Sequence, residues 1–136
     1  IRGGWRADNN WLPNHCAWLR DRLGIFLATV PELRVDPATM RGWAVVARKG
    51  AFFARHTHGG AYAWSGILYL DPGGSPSAAT LFELNPRNPK ICERVEPVTN
   101  LVVVFPSEMA HSVEVHQGDQ PRITIAFDVK RAVRAR

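Results

Sequence analysis

Most of the chain after residue 41 consists of short apolar segments separated by turn-forming residues, and this pattern limits the fold more than any other feature. Each segment has five to eight residues and is rich in β-branched and aromatic side chains: residues 42–47, 51–57, 65–70, 79–84, 91–95, 101–105, 112–116 and 122–129. Eight short strands without a helical run among them are typical of a sandwich or barrel. Gly and Pro mark most of the turns, and Arg48-Lys49-Gly50 is the predicted turn between the first two strands.

The preceding segment has a different period. From Trp11 to about Val30 apolar residues recur at helical spacing, and Pro31 follows the run. This pattern predicts one amphipathic helix over about residues 11–30, packed outside the sheets. The opening Arg-Gly-Gly-Trp lacks an initiator methionine, so we expect further residues upstream. The organisation predicted is a single domain over residues 1–136, with a jelly roll over about 42–129.

Size and composition agree with one compact domain. The chain has 136 residues, of which 46% are hydrophobic and 21% charged, which is an ordinary globular balance. No segment approaches the roughly 20 apolar residues of a membrane span, so no membrane partner is expected. Cys16 and Cys92 are too few and too far apart for a disulfide framework or paired CxxC zinc ligands, which favours a reducing compartment and a cytoplasmic location.

The net charge of +5 is concentrated at the carboxyl end, where the last seven residues contain four cations: Lys130, Arg131, Arg134 and Arg136. Without them the net charge is about +1. A short basic tail is usually solvated, and the sequence lacks an RNP-like aromatic motif and C2H2 spacing. Nucleic acid is therefore not a predicted partner. We expect the helix and the sheet edges to offer surfaces for a homodimer.

Three histidines are the main candidates for chemistry. His56 and His58 lie two positions apart near the end of a predicted strand, so their side chains point to the same face. Their Cα atoms are then roughly 6.6–6.8 Å apart, which allows both imidazoles to reach one ion at about 2.0–2.2 Å. His111 follows another strand end and reaches the pair if the strands close into a barrel. Spacing alone leaves a metal site and ordinary surface or core histidines equally open.

Arg122 favours a site. It opens the apolar strand Arg-Ile-Thr-Ile-Ala-Phe, with Thr124 on the same face of that strand. A guanidinium in such a place costs desolvation free energy unless it meets an anion, and it grips a carboxylate through two parallel hydrogen bonds. A carboxylate-bearing cosubstrate near a metal explains the arrangement, although an arginine with its head in water remains an alternative.

With these residues in place, the sequence resembles the Fe(II)- and 2-oxoglutarate-dependent oxygenases, specifically a bacterial and phage group within the prolyl-hydroxylase-like branch. The resemblance covers roughly residues 42–128, with a short match near the start, and is specific only in combination. The segments that carry it are Gly4-Trp5, Trp43, His56-Thr57-His58, Ser65-Gly66-Ile67-Leu68-Tyr69-Leu70, Leu81-Phe82, Asn85-Pro86-Arg87, Val104-Phe105-Pro106-Ser107 before His111, and Arg122-Ile123-Thr124-Ile125-Ala126-Phe127.

The resemblance implies a double-stranded β-helix, a cupin-like jelly roll, and a dioxygenase that couples decarboxylation of 2-oxoglutarate to hydroxylation of a substrate. It implies Fe(II) and 2-oxoglutarate as cofactors, and no catalytic side chain beyond the metal ligands. Carried over by position, the iron ligands are His56, His58 and His111. Arg122 is then the anchor of the far carboxylate of 2-oxoglutarate, with Thr124 as hydroxyl partner and Tyr69 as a further contact. The substrate, a small molecule or a peptide, is not identified.

The second ligand position departs from the commoner family motif. That motif is His-x-Asp, which completes the 2-His-1-carboxylate site of non-heme iron enzymes, whereas this chain has His58. A closer subgroup also has His-x-His, usually before proline, but Gly59 follows here. Three neutral ligands leave a higher net charge on iron. The alternatives are that Glu83 or Asp71 supplies a carboxylate, or that His58 only supports a ligand.

Two other functions remain open from the sequence. A cupin-like enzyme with three histidines would bind a metal without 2-oxoglutarate, and Arg122→Ala would leave its activity intact. A non-catalytic jelly-roll binding module would tolerate loss of His56 or His111. For an oxygenase, five apolar residues are expected to line a dry barrel interior: Val45, Phe53, Leu68, Phe82 and Phe105. Two aromatic residues, Tyr62 and Trp64, are candidates for a substrate rim.

Overall fold

The computed structural model describes residues 2–133 and has eight strands and two helices. In chain order these are β1 Arg2–Arg6, α1 Trp11–His15, α2 Ala17–Ala28, a 3-10 turn Pro31–Leu33, β2 Val35–His56, β3 Trp64–Asp71, β4 Thr80–Glu83, β5 Cys92–Val95, β6 Val102–Pro106, β7 His111–Val113 and β8 Arg122–Arg131.

The strands form two antiparallel sheets that share one strand. The order is β5-β4-β7-β2-β8-β3-β6, with β1 added beside β2. The first half of β2 pairs with β8, and its last residues pair with β7 in the other sheet. A strand that passes from one sheet to the next forms a corner of a sandwich. The curled antiparallel sheets confirm the predicted cupin-like double-stranded β-helix.

The long strand β2 corrects the sequence prediction of two strands and a turn. Residues 48–50, predicted as that turn, lie inside β2. Gly50 has a φ of 91°, a conformation open to glycine and costly for other residues. The chain therefore bends at Gly50 within β2, where its hydrogen-bonding partner changes from β8 to β7.

Apolar residues alternate between two sides of the β8-containing sheet. One side packs on the helices, through a core that includes Leu12, Leu27, Ile125 and Phe127; the other faces the second sheet, where Ile67, Tyr69, Phe82 and Phe105 cluster. Leu68 was expected inside the barrel, but it packs on the helix side. The physical reason is the two-residue period of a strand, which sends Leu68 to the face opposite Ile67.

The predicted single helix is also wrong in one respect. Cys16, with φ −146° and ψ 55°, separates α1 from α2, so that two short helices lie against the curved sheet. Leu12 in α1 and Leu23 in α2 both reach the same core. Gly42 permits the close approach of α1, since a Cβ at Gly42 would lie 2.8 Å from the Leu12 Cδ2 atom.

The amino-terminal strand β1 was not predicted from the sequence. It pairs antiparallel with β2, Trp5 opposite Val46 and Arg6 opposite Val45, and its glycines and arginines gave no strand signal. At the other end Lys130 and Arg131 belong to β8, while Arg134 and Arg136 of the predicted basic tail lie outside the described residues. Within residues 2–133, neither helix has the length and apolar character that crossing a membrane requires.

Candidate metal centre

The end of β2 and the start of β7 bring the three histidines together. His56 and His111 are direct cross-strand partners. His58 follows two residues later, and its backbone N–H donates to the Ser107 carbonyl at 2.7 Å, which fixes the chain beyond the strand. One nitrogen from each imidazole lies within 4.8 Å of the other two. The cluster predicted from the sequence is therefore present as a spatial group.

The other ring nitrogens show which atoms are free. Nδ1 of His56 lies 2.8 Å from the Ala54 carbonyl oxygen, and Nδ1 of His111 lies 3.0 Å from that of Met109. Since a carbonyl only accepts, each Nδ1 carries the hydrogen and donates it. Nε2 of both rings then keeps its lone pair, which is the state a metal-binding imidazole needs.

Burial keeps these rings neutral. It lowers the pKa of His111 to about 4, against an ordinary value of 6.5, even though the hydrogen bond to Met109 acts in the opposite direction. Burial also lowers the pKa of His56, and the neighbouring His58 adds to this effect. At neutral pH both imidazoles are therefore uncharged, and each offers the lone pair of its Nε2 to a metal. A divalent cation then meets little competition from protons.

Behind His58 lies a carboxylate that sequence reasoning missed. Asp128 is fully buried, and His58 Nδ1 donates to its Oδ1 at 2.9 Å. Ser65 Oγ donates to the same oxygen at 2.5 Å, and Arg41 Nε donates to Oδ2 at 2.9 Å. Burial alone would raise the pKa of Asp128, but the hydrogen bonds from His58 and Ser65 outweigh it and hold the pKa below its ordinary value.

Asp128 thus leaves Nε2 of His58 as the free nitrogen and adds a negative charge beside the cluster. A carboxylate behind a ligating histidine fixes the ring and raises its basicity. A sequence signal existed, since an acidic residue at the end of the apolar run Ile-Ala-Phe needs a buried partner. That signal named no partner, because Asp128 and His58 are 70 residues apart.

The carboxylates considered as alternative ligands lie elsewhere. Glu83 accepts a hydrogen bond from Arg55 at 2.6 Å, and Asp71 accepts one from the backbone N–H of Gly73 at 2.9 Å. Within residues 2–133, the group with metal-ligand spacing consists of the three histidines and neither carboxylate. The donor set therefore fits a borderline metal such as iron through imidazole nitrogen.

Arg122 is almost fully buried and meets only neutral acceptors in the described chain. Its Nε donates to the Ala78 carbonyl at 3.0 Å, and one Nη lies 3.5 Å from Thr80 Oγ1. Its guanidinium carbon is 5.6 Å from the centre of the Tyr69 ring. Burial lowers the pKa of Arg122, as expected for a cation whose desolvation no carboxylate offsets.

The three residues assigned to cosubstrate binding do not have equal access. Arg122 and Thr124 line a cavity of about 450 Å³ that also includes the three histidines. Tyr69 lies behind that surface, and its hydroxyl is 2.7 Å from Thr80 Oγ1, a residue that sequence reasoning overlooked. A direct contact between Tyr69 and a cosubstrate stays a prediction.

The cavity lining agrees only in part with the expected residues. Val45, Phe53 and Phe105 line it, as expected for a dry interior. Trp64 instead donates from Nε1 to the Leu33 carbonyl at 2.9 Å on the helix side. Tyr62 lies against the guanidinium of Arg41 at 4.1 Å and does not line this cavity.

The chain is similar to known proteins in both sequence and fold. Residues 41–128 match the family model described as "Putative 2OG-Fe(II) oxygenase". A search of curated proteins found no match. Among solved structures, a prolyl-4-hydroxylase from Pseudomonas putida matches with a TM-score of 0.70 and 20% identity, covering 96% of this chain and 72% of that one.

Two further structures share the fold. A prolyl hydroxylase from Trichoplax adhaerens, solved in complex with a peptide fragment of hypoxia inducible factor, has a TM-score of 0.70 and 13% identity over 96% of this chain and 64% of its own. A 2OG-Fe(II) oxygenase family oxidoreductase from Burkholderia pseudomallei has a TM-score of 0.59 and 16% identity over 68% and 43%. The chain spans less than two thirds of both proteins, and identities this low establish the fold alone.

Proposed function

Because the chain belongs to the 2OG-Fe(II) oxygenase family, we propose that it hydroxylates a substrate that enters the cavity beside its three histidines. The family makes it an oxygenase whose cofactors are Fe(II) and 2-oxoglutarate. When bound, these cofactors supply the oxidising chemistry, in which dioxygen is consumed, 2-oxoglutarate is decarboxylated to succinate and a substrate C–H bond is hydroxylated. The protein binds, orients and shields the reactants.

The observation that carries this proposal is the pairing of two unusual features in one cavity. Two of its imidazoles donate from Nδ1 to backbone carbonyls and the third to Asp128, which leaves three Nε2 atoms for iron. The same cavity holds a buried guanidinium without a carboxylate partner among residues 2–133. A dicarboxylic keto acid satisfies both, with one end at the metal and the other at Arg122.

The roles of the remaining residues follow from their positions. Arg122 would bind the far carboxylate of 2-oxoglutarate through two N–H groups, and Thr124 would add a hydroxyl hydrogen bond. Thr80 and the Ala78 carbonyl hold the guanidinium in place. Phe105, 4.7 Å from the ring centre of His111, excludes water from one side of the cluster and so strengthens the electrostatic interactions within it.

The direct test uses protein reconstituted with Fe(II) without oxygen. Adding 2-oxoglutarate is expected to produce a visible metal-to-ligand charge-transfer band, and admitting oxygen is expected to produce succinate even without substrate. His111→Ala should abolish both signals. Arg48→Gln, at an exposed position outside the cavity, is the matched control and should change neither. Wild-type protein that binds stoichiometric Fe(II) and gives neither band nor succinate would refute the proposal.

A metal enzyme that does not use 2-oxoglutarate is the second candidate, and the neutral three-histidine set favours it. Arg122→Ala and the shape-conserving Arg122→Met discriminate between the two. Losing a buried charge-assisted contact costs about 2–5 kcal/mol, so the KM for 2-oxoglutarate should rise at least about 30-fold. If variants that remain folded by circular dichroism keep a metal-dependent activity, the second function is correct.

We also propose a cytoplasmic location. Both cysteines are free thiols, Cys16 half-buried and Cys92 exposed, and an exposed thiol persists best in a reducing compartment. Cell fractionation with an antibody against the chain tests this, and recovery from an oxidising compartment would contradict it.

A further inference from the structure

Arg6 at the end of β1 is held at the edge of the cavity in a fixed position. Its Nη1 donates to the Ala7 carbonyl at 2.8 Å, and its Nη2 donates to Asn9 Oδ1 at 2.5 Å. Its guanidinium carbon lies 4.3 Å from the centre of the Trp43 ring, a cation–π contact. Arg6 is exposed, and these three contacts restrict its side chain at a cost in rotamer entropy.

Trp43 connects Arg6 to the metal centre. Its indole is 6% exposed and stacks on the His58 imidazole, with ring centres 5.6 Å apart and an angle of 18° between the planes. The guanidinium and the candidate metal ligand thus contact the same aromatic ring. A group bound by Arg6 would therefore lie beside the Trp43–His58 pair at the edge of the cavity.

The cavity lining is strongly cationic. Within residues 2–133, no carboxylate lines the cavity. Four arginines line it: Arg6, Arg41, Arg55 and Arg122. Carboxylates behind the surface pair with two of the four, Arg41 with Asp128 at 2.9 Å and Arg55 with Glu83 at 2.6 Å.

The other two guanidiniums have no ion pair in the described chain. Arg122 receives the far carboxylate of 2-oxoglutarate under the proposed function, so that Arg6 is then the lining guanidinium without a direct ion pair among residues 2–133. Burial, followed by the nearby charge of Arg41, lowers the pKa of Arg6, while the carboxylates of Asp128 and Asp8 act in the opposite direction. Two of the five guanidinium N–H groups are used within the protein, and three remain for a ligand.

We infer that the substrate carries an oxyanion, a carboxylate or a phosphate, which Arg6 binds at the cavity edge while the carbon to be hydroxylated faces the metal centre. This inference rests on the proposed function and adds the chemical class of the substrate. Arginine suits the role because its planar fork binds such groups through two parallel hydrogen bonds. Arg6 is then a specificity-determining residue, and neutral analogues are expected to bind less tightly because they form no charge-assisted hydrogen bonds with its guanidinium.

The test follows the Nε–H resonance of Arg6 by NMR in protein loaded with 2-oxoglutarate and Zn(II), a diamagnetic substitute for Fe(II). The cosubstrate occupies Arg122, so added anions report on the remaining guanidinium. The probes are inorganic phosphate, acetate and acetamide, the last being the neutral isostere of acetate, at constant ionic strength. We expect a saturable shift of the Arg6 signal with phosphate, acetate or both, and none with acetamide. A response to acetate alone indicates carboxylate substrates, and a response to phosphate alone indicates phosphorylated ones.

Calorimetry of the same samples supplies the variant comparison. Arg6→Gln should weaken binding of the responding anion at least tenfold, whereas the charge-matched Arg48→Gln should change it less than twofold. An Arg6 signal that responds no more than that of Arg48, or equal weakening by both variants, overturns the inference. The charge-transfer band of the wild-type Fe(II) protein with 2-oxoglutarate separates the two proposals. Without the band the proposed function fails, and with the band but without an Arg6 response only this inference fails.

Discussion

Replacing Asp128 with asparagine tests whether the buried carboxylate positions His58 for a metal. The Asp128 side chain has no exposed surface and accepts hydrogen bonds from three donors: His58, Ser65 and Arg41. Asparagine has the same shape but only one accepting atom. Whichever way its amide is turned, its NH₂ group faces a donor, either Arg41 or the pair formed by His58 and Ser65.

Removing one partner of a buried ion pair costs about 3–5 kcal/mol, but Arg41 is 29% exposed and regains some hydration, so we expect a loss of roughly 2–3 kcal/mol in the free energy of unfolding. Losing the acceptor behind a ligating imidazole typically weakens metal binding 10–100-fold. Both effects should occur together in Asp128→Asn.

Urea denaturation of the metal-free protein measures the first effect, and anaerobic Fe(II) titration measures the second. Ser65→Ala is the matched control, since it removes one hydrogen bond to Asp128 and leaves the contact with His58 intact. We expect it to cost about 1 kcal/mol and to change Fe(II) affinity less than threefold. If Asp128→Asn is destabilised as strongly as expected but binds Fe(II) like the wild type, Asp128 serves the fold only and the positioning argument is wrong.

Three further predictions concern pH, packing and assembly. The pKa of His111 is about 4 in the folded chain and ordinarily 6.5, so below pH 6.5 the unfolded state binds the proton more readily. The metal-free protein should therefore lose roughly 3 kcal/mol in its free energy of unfolding between pH 6.5 and 4. Urea titrations in which His111→Gln shows the same pH dependence as the wild type would contradict this. A Cβ at Gly66 would lie 2.1 Å from Phe127 Cζ, so Gly66→Ala should lose about 1–3 kcal/mol by urea denaturation, whereas Gly59→Ala, which has open space, should not. A homodimer stays a prediction: α2 exposes apolar side chains, including Phe26, and we expect light scattering at micromolar concentration to give the mass of a dimer, whereas the mass of a monomer would refute this.

The parts of the fold that sequence reasoning predicted correctly depend on short-range periodicity. The two-residue period predicted His56 and His58 on one face of a strand; the strand ends at His56, yet both imidazoles join one cluster. The Pro and Gly residues between apolar segments gave most strand ends to within one or two residues. The continuity of β2 could not be found in this way. Residues 48–50 are turn formers locally, and they remain part of β2 because β8 and β7, each more than 60 residues away, supply hydrogen-bonding partners on either side of them.

The candidate site shows the same division between local and distant information. The two local histidines and the buried arginine were identifiable from their own segments. Asp128 was not, because an acidic side chain at the end of an apolar strand signals that it needs partners but not which ones. Arg6 was not identified either, because β1 gave no strand signal and its importance depends on Trp43, 37 residues later.

The carboxylate of Asp128 contacts His58 and is not itself in the group of candidate metal ligands. This position affects the net charge of the whole cavity. In a 2-His-1-carboxylate site one charge on the metal is neutralised by a ligand, whereas here the nearest carboxylate, Asp128, is shared between His58 and Arg41. The Asp128–Arg41 pair is neutral, so the charge of a bound divalent metal adds to those of Arg122 and Arg6. The dianion 2-oxoglutarate offsets only part of this total. Like charges that face one cavity repel one another, and an anionic substrate would reduce this repulsion. His58→Asp restores the commoner ligand set and adds a negative charge, so it should weaken binding of the anions that Arg6 recognises. If calorimetry shows an unchanged affinity for these anions, the charge at the metal does not determine which substrate binds.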